Sequence, residues 1–260
     1  MGWNIFPMWA GIIAVIAATA ATLAIIKRER STVAIATMSL AIIGMAGFIA
    51  MLWTVLERPP LRTMGETRLW YSFFLLVAGL FTYYRWQYRW IMLFSTVLAS
   101  VFIIINIVKP EIHDQTLMPA LQSVWFVPHV SVYMFSYSLL GCATLLSTVA
   151  LVRRSYNMDI AIEKLLYAGL AFLTMGMLTG SLWAKEAWGA YWSWDAKEAW
   201  AVATWGLYLI AIHLAPSVMN TSRRWIYHTT ILLGFLALHM CWYGINYLPS
   251  AETSIHTYNQ

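Results

Sequence analysis

Long apolar stretches alternate with short polar stretches along the whole chain. Eight apolar stretches approach or exceed the roughly 20 residues that an α-helix needs to cross a bilayer, and they cover residues 6–26, 32–56, 69–84, 90–108, 130–152, 165–183, 199–215 and 225–248. The third is the shortest of them. This pattern predicts an all-α fold, a polytopic integral membrane bundle of about eight transmembrane helices in which residues 1–260 form a single membrane domain.

The distribution of charge predicts how these helices are oriented. Of the 260 residues, 61% are hydrophobic and 10% are charged, and the net charge is +5. Ten Lys/Arg and three Asp/Glu lie in the polar connections at 27–31, 85–89, 153–164 and 216–224, whereas the rest of the chain holds six and eight. Because basic loops stay on the cytoplasmic side, both termini are predicted to lie outside. The same rule accounts for the positive charge, which therefore does not indicate nucleic-acid binding.

One segment on the predicted outer face is unusually rich in tryptophan. Residues 183–205, here called the Trp-rich segment, contain six tryptophans and one tyrosine together with two small charge clusters. An aromatic belt at the membrane interface is one interpretation, and a platform for a large flat ligand is the other. The predicted platform residues are Trp188, Gly189, Tyr191, Trp192, Trp194 and Asp195. Asp195 and Glu198 also match a capping box, so Asp195 is expected to fix the platform to the start of the next helix, with only indirect ligand contact.

Histidines are the candidate metal ligands. His129 and His256 are predicted at the outer surface, whereas His213 follows Asp195 by 18 residues, which is about 27 Å along a helix. Neutral imidazole is a common ligand of haem iron, so the two outer histidines could ligate one haem from both faces. The alternative for each histidine is a hydrogen-bonded core or interfacial residue, and this is the interpretation adopted for His228 and His239.

The order of residues in the Trp-rich segment carries a family resemblance. WGAYWSWDAKEAWA, at 188–201, resembles the WWD signature of membrane haem-handling proteins, W-G-x-Y-W-x-W-D-P-K-E-x-W-A, and its Lys-Glu continuation is similar to the CcsA (ResC) family of system II cytochrome c biogenesis proteins. Further matches are Arg58-Pro59-Pro60 with Glu66, the PALQS run at 119–123 leading to Trp125 and His129, and Gly244-Ile245-Asn246-Tyr247. Two departures are Ala196 in place of the family's proline, and the tail around His256, which reads Ser-Ile-His-Thr-Tyr at 254–258 in place of Gly-Leu-His-Ser-Tyr.

The resemblance implies a function and a set of roles. The protein would take up haem b at His213 near the cytoplasmic side and hold it outside with His129 and His256 as iron ligands on the platform. It would then present the haem to the Cys-x-x-Cys-His segment of an apocytochrome c for thioether formation. The implied partners are a CcsB (ResB) membrane protein, apocytochrome c and thiol-reducing thioredoxin-like proteins. The implied location is the bacterial cytoplasmic (inner) membrane with the active face periplasmic. The chain would be a subunit of a holocytochrome c synthase, and whether it is itself an enzyme stays open.

Two other functions compete with this one. A haem exporter or relay of the CcmC type would share the tryptophans but perform no ligation chemistry. A quinone or electron-transfer membrane subunit would pair histidines of two helices at matched depth, which in this sequence only His213 and His228 could do.

Overall fold

The computed structural model describes residues 2–27, 30–109, 119–155, 157–219 and 221–249, and within them the chain forms α-helices, short 3-10 turns and no β-strand. The helices are α1 (Phe6–Ile26), α2 (Thr32–Leu56), α3 (Met64–Trp86), α4 (Ile91–Val108), α5 (Phe126–Arg153), α6 (Asp159–Trp188), α7 (Ala196–Val218) and α8 (Arg224–Trp242). Seven of them are long and apolar enough to cross a membrane. The predicted all-α polytopic membrane bundle is therefore confirmed. His113 and His256 lie outside the described residues.

Among the described helices, α3 is the one that is not apolar enough to count as a candidate membrane span. Its 23 residues would reach about 34 Å, but its first turns carry Glu66 and Arg68, both buried. The apolar pattern located only its central part, because these polar residues belong to the helix and are sheltered by protein. Each of the eight predicted stretches overlaps one of the α-helices, and α1 and α2 have the predicted bounds.

The helix ends differ most from the predictions at α6 and α8. α6 continues to Asp159 on one side and Trp188 on the other, because charged residues extend the helix beyond the apolar span. α8 ends at Trp242, and a separate 3-10 turn covers Gly244–Tyr247. A Cβ at Gly244 would overlap the side chain of Met240, so Met240 occupies the space beside this glycine.

The helices pack within two compact units, Met1–Thr116 and Leu117–Gln260. The interpretation of the chain as one membrane domain stays a prediction. In the first unit, α3 begins with a capping box in which the Thr63 side chain accepts from Glu66 N and the Glu66 carboxylate accepts from Thr63 N. Arg58 holds the same carboxylate through two hydrogen bonds of 2.9 Å, and Asn106 of α4 donates to Gly65 O at 2.8 Å.

The second unit is built on the close packing of α5 and α6. Ser136 Oγ donates to Gly169 O at 2.7 Å, and a Cβ at Gly169 would lie 2.6 Å from Leu140 Cδ2. At the beginning of α6, the buried Asp159 carboxylate faces two residues of α8. Arg224 Nε lies 3.0 Å and His228 Nε2 lies 3.4 Å from its oxygens. His228 is fully buried, in agreement with its interpretation as a core histidine.

Candidate functional site

The loop that joins α6 to α7 carries the centre of the Trp-rich segment. It begins at Gly189, which caps α6 with a left-handed φ of +84° and donates its N–H to Lys185 O at 3.0 Å. The Lys185 ammonium in turn donates a hydrogen bond to Gly189 O at 2.7 Å. The same ammonium lies 5.4 Å from the centre of the Tyr191 ring. Glycine suits this position because a left-handed φ is strained for other residues. The loop is thus fixed where it leaves α6.

The other end of the loop is fixed by the capping box that the sequence predicted. Asp195 is the N-cap of α7, and its carboxylate accepts from Lys197 N at 3.3 Å. The Glu198 carboxylate accepts from Asp195 N at 3.2 Å and completes the box. Glu198 is only 7% exposed. The prediction that Asp195 caps the helix is confirmed.

The aromatic side chains of the segment lie in two tiers. Tyr191 and Trp194 stand out from the loop, with 56% and 71% of their surfaces exposed. Trp192 is half-buried, and its ring meets that of Trp194 edge-on at 5.9 Å and 83°. Trp183, by contrast, is 4% exposed and lies 4.7 Å from the half-buried ring of Trp188. The exposed rings of the loop form a flat apolar surface that a planar ligand could cover.

His129 lies against the buried tier. Its ring is stacked on Trp183 with a centroid distance of 5.4 Å and an interplanar angle of 23°. Its Nδ1 is 2.8 Å from the carbonyl oxygen of Gly176 in α6. A carbonyl oxygen can only accept, so Nδ1 carries the proton and the lone pair of the neutral ring is on Nε2. A backbone carbonyl on one imidazole nitrogen is how proteins orient the other nitrogen towards a metal.

Two glycines of α6 make room for the side chains of α5, and the sequence reasoning missed both. A Cβ at Gly180 would lie 2.6 Å from Cε1 and Nδ1 of His129, and one at Gly176 would overlap Cδ1 of Tyr133. The sequence does contain a pattern that indicates this packing, namely two glycines four positions apart in the run GMLTG. Small residues at this spacing let two helices approach closely. These glycines decide where the imidazole can lie.

The residues before α5 attach its beginning to the end of α6. Trp183 Nε1 donates to Ala120 O at 2.7 Å, and Ser123 Oγ donates to the Glu186 carboxylate at 2.6 Å. Ser123 Oγ also accepts from Trp125 N at 3.1 Å. The PALQS run therefore works as a strap that brings His129 to the Trp-rich segment.

His213 lies in different surroundings. It is exposed on α7, and its Nδ1 donates to Leu209 O at 2.9 Å within the same helix. Its 18-residue separation from Asp195 places it about 27 Å along α7 from the loop. His239 of α8 makes a similar bond, to Phe235 O at 2.9 Å, but is half-buried against the Phe235 ring at 4.3 Å. The structure thus brings His129 to the Trp-rich segment and keeps His213 apart from it.

Residues 61–251 match the family model described as Cytochrome C assembly protein. Similar proteins include several with the name Cytochrome c biogenesis protein CcsA. The one of Oenothera biennis is 26% identical over 268 residues, with 82% of this chain and 83% of the relative covered. The one of Trachelium caeruleum is 28% identical over 264 residues, with 82% and 81% covered. The one of Chlamydomonas reinhardtii is 32% identical over 179 residues, with 63% and 48% covered.

Proposed function

The chain belongs to the cytochrome c assembly protein family, and from this premise we propose that it carries haem to the outer face of a membrane and presents it there to apocytochrome c. The family establishes the coarser part of this statement, namely an integral membrane protein of cytochrome c biogenesis that handles haem. The route of the haem, its ligands, the CcsB (ResB) partner and the periplasmic face of a bacterial cytoplasmic membrane are the parts proposed.

The environment of His129 is the observation that carries the proposal. The bond from Nδ1 to Gly176 O fixes the tautomer, and stacking on Trp183 fixes the plane of the ring. An imidazole whose tautomer leaves the lone pair on Nε2, and whose ring is stacked on an indole, suits an iron that arrives inside a flat macrocycle. We propose His129 as one ligand of haem b, and His256, which lies outside the described residues, as the other.

The loop supplies the apolar surface for the same haem. Trp188, Gly189, Tyr191, Trp192, Trp194 and Asp195 form the proposed haem-binding segment. The aromatic rings would cover the porphyrin, Gly189 allows the loop to leave α6, and Asp195 positions the loop through its cap. The carboxylate of Asp195 accepts a hydrogen bond from the backbone of α7, which supports an indirect role for this residue in haem binding.

His213 is the proposed inner station. An ionisable side chain exposed at membrane depth is costly, and its exposure on a membrane-spanning helix supports a role as a ligand of a passing haem. The separation of about 27 Å means that His213 and His129 serve successive positions of the haem. The chain would thus receive haem at one level and hold it at another.

The final reaction belongs mainly to the substrates. Each thiol of the apocytochrome's Cys-x-x-Cys-His segment adds across a haem vinyl group, so that a carbon–sulfur bond forms and the thiol proton goes to the other vinyl carbon. No external oxidant or reductant enters this addition. The proposed contribution of the chain is to hold the haem so that the two thiols meet the two vinyl groups. Thioredoxin-like proteins would keep those thiols reduced, and the CcsB (ResB) protein would complete the synthase.

The histidines argue against one rival function, and the similarity to known proteins argues against the other. A quinone or electron-transfer subunit would pair His213 with His228, but His228 is fully buried and faces Asp159, whereas His213 is exposed. A relay of the CcmC type differs only in lacking the ligation step. The similarity of most of the chain to proteins named CcsA favours the biogenesis function with ligation.

The experiment is to purify the chain from a membrane with and without co-expressed CcsB-like partner and apocytochrome c. We expect an absorption spectrum of b-type haem with the chain, and covalent haem on the apocytochrome only when the partner is present. Haem bound without any covalent product in the complete system would indicate the relay. Reduction of the haem by quinol in stoichiometric turnover would indicate the electron-transfer function instead.

The aromatic rings of the loop are predicted to contribute more to haem binding than the carboxylate of Asp195. Trp192→Ala and Trp194→Ala are each expected to weaken haem binding by about 1.5–3 kcal/mol, because each removes a large apolar ring. Asp195→Asn is expected to have a smaller effect, because the amide oxygen can still cap α7. Haem titrations of the purified variants would measure this order. An Asp195→Asn protein that is expressed normally but binds no haem would require direct contact between Asp195 and the ligand.

A further inference from the structure

Trp194 has an unusual backbone conformation for its place in the chain. Its φ is +58°, in the left-handed region that disfavours bulky residues. Three other non-glycine residues of the described chain have a positive φ, and each is the C-cap of a helix: Glu57, Gln87 and Arg154. Trp194 instead directly precedes Asp195, the N-cap of α7. Helix termination therefore does not account for its conformation, and a local constraint must hold it.

The constraint is Glu198. Its Oε2 accepts from Ser193 N at 2.8 Å, from Ser193 Oγ at 3.2 Å and from Asp195 N at 3.2 Å. These donors lie immediately before and immediately after Trp194. One buried carboxylate oxygen thus draws both neighbours of Trp194 inwards, and the residue between them is pushed outwards.

The capping box of α3 shows that an ordinary box does not do this. There, Glu66 Oε2 accepts from Thr63 N at 3.2 Å and from Arg62 N at 2.7 Å, two consecutive backbone donors. Neither Arg62 nor Thr63 has a positive φ. At α7 the equivalent glutamate, Glu198, accepts from the backbone N–H groups of Ser193 and Asp195. The residue between these two donors is Trp194, which has the left-handed conformation. The difference between the two boxes assigns the outward bulge to Glu198.

We propose that Glu198 is a positioning residue for haem binding, which holds Trp194 in the left-handed conformation and thereby directs its indole out of the loop towards the haem. The inference rests on the proposed function, since it assumes that the exposed rings cover a haem. The 71% exposure of Trp194 and its edge-on contact with Trp192 are the geometry that Glu198 maintains. Without the carboxylate, the backbone of Trp194 relaxes to a negative φ and the indole leaves its position.

The test is a double-mutant cycle read out by haem release. Haem-loaded Glu198→Ala, Trp194→Gly and the double variant are mixed with excess apomyoglobin, and the rate of haem transfer is followed by absorbance. We expect Glu198→Ala to accelerate release roughly tenfold in the parent chain, because an unrestrained tryptophan does not stay left-handed. On the Trp194→Gly background we expect less than about twofold further acceleration, because the side chain through which Glu198 acts is gone.

A matched control separates positioning from helix capping. Thr63→Ala removes a capping side chain from the box of α3, so it should lower the melting temperature as a lost cap does without changing haem release. Glu198→Asp keeps an acid at the start of α7 but withdraws its oxygen by one methylene, and it should release haem faster than the parent chain even if Glu198→Ala does not fold.

Two results would overturn the inference, and they differ from a failure of the proposed function. Equal acceleration by Glu198→Ala with and without Trp194 would mean that Glu198 acts through the helix alone, although haem binding itself would stand. If Glu198→Ala and Glu198→Asp both released haem at the rate of the parent chain, Glu198 would not position Trp194 for haem binding. If Trp192→Ala, Trp194→Gly and His129→Gly all left haem release unchanged, the proposed haem platform would be wrong.

Discussion

Replacing His129 by glycine is expected to remove haem from the outer site, and added imidazole is expected to restore part of it. The substitution leaves a gap bounded by Trp183 and Gly176, in which free imidazole can replace the lost ring. Loss of an oriented ligand should lower haem occupancy at least about tenfold. The haem absorbance of the purified variant, with and without millimolar imidazole, measures both effects.

The neighbouring glycine provides a contrasting variant. Gly180→Ala places a Cβ 2.6 Å from the His129 ring, so the imidazole must move and its bond to Gly176 O is lost. Haem occupancy should fall as it does for His129→Gly, but imidazole should not restore it, because the methyl group and the displaced ring fill the space. Gly206→Ala in α7, where nothing lies within 4 Å of the added Cβ, is the matched control and should bind haem normally. Full haem occupancy in Gly180→Ala would contradict the assignment of His129.

Replacing His213 by alanine is expected to deplete haem at the outer site although that site is intact. His213 lies about 27 Å along α7 from the loop, so the substitution cannot disturb the platform by contact. The substitution would instead reduce the supply of haem to the outer site. We therefore expect roughly a tenfold drop in the amount of cytochrome c with covalently attached haem in cells. Haem added directly to the purified variant should still bind at His129 with the parent affinity, which distinguishes a supply defect from a damaged site.

The control for this experiment is His239→Ala. His239 makes the same bond within its helix as His213, to the carbonyl four residues earlier, but it is half-buried against Phe235. It should leave cytochrome assembly nearly unchanged. Normal assembly by His213→Ala would return His213 to the class of hydrogen-bonded helix residues, and equal loss in both variants would indicate a general folding defect.

Much of the fold could be predicted from the sequence because a bilayer imposes a strict length and polarity on each helix. α1 and α2 have their predicted bounds because their apolar runs end at charged or capping residues, Lys27, Ser31 and Glu57. α3 was predicted too short, since buried Glu66 and Arg68 do not look like parts of an apolar helix. A sequence pattern reports polarity, and it does not report which polar groups find partners inside the protein.

The candidate site was predictable only in its local parts. The Asp195–Glu198 capping box follows from residues three apart, and it is present. The contact of His129 with Trp183 and Gly176 joins residues 54 and 47 positions apart, and no local pattern specifies such a pairing. The added bonds from Ser193 to Glu198 were also missed, because a carboxylate's second and third donors depend on the path of the loop.

The strap of residues 119–123 has a consequence for the biosynthesis of the protein. It is held by Trp183 and Glu186, each 63 residues away from its partner, and His129 donates its hydrogen bond to a carbonyl 47 residues later in the chain. At a translation rate of about 5–20 residues per second, His129 leaves the ribosome roughly 2–9 s before Gly176 does. During that interval the nascent chain contains the imidazole but not the surroundings that orient it. The proposed outer haem site therefore forms only after α6 has been inserted, and we expect a truncated translation product to retain no haem there.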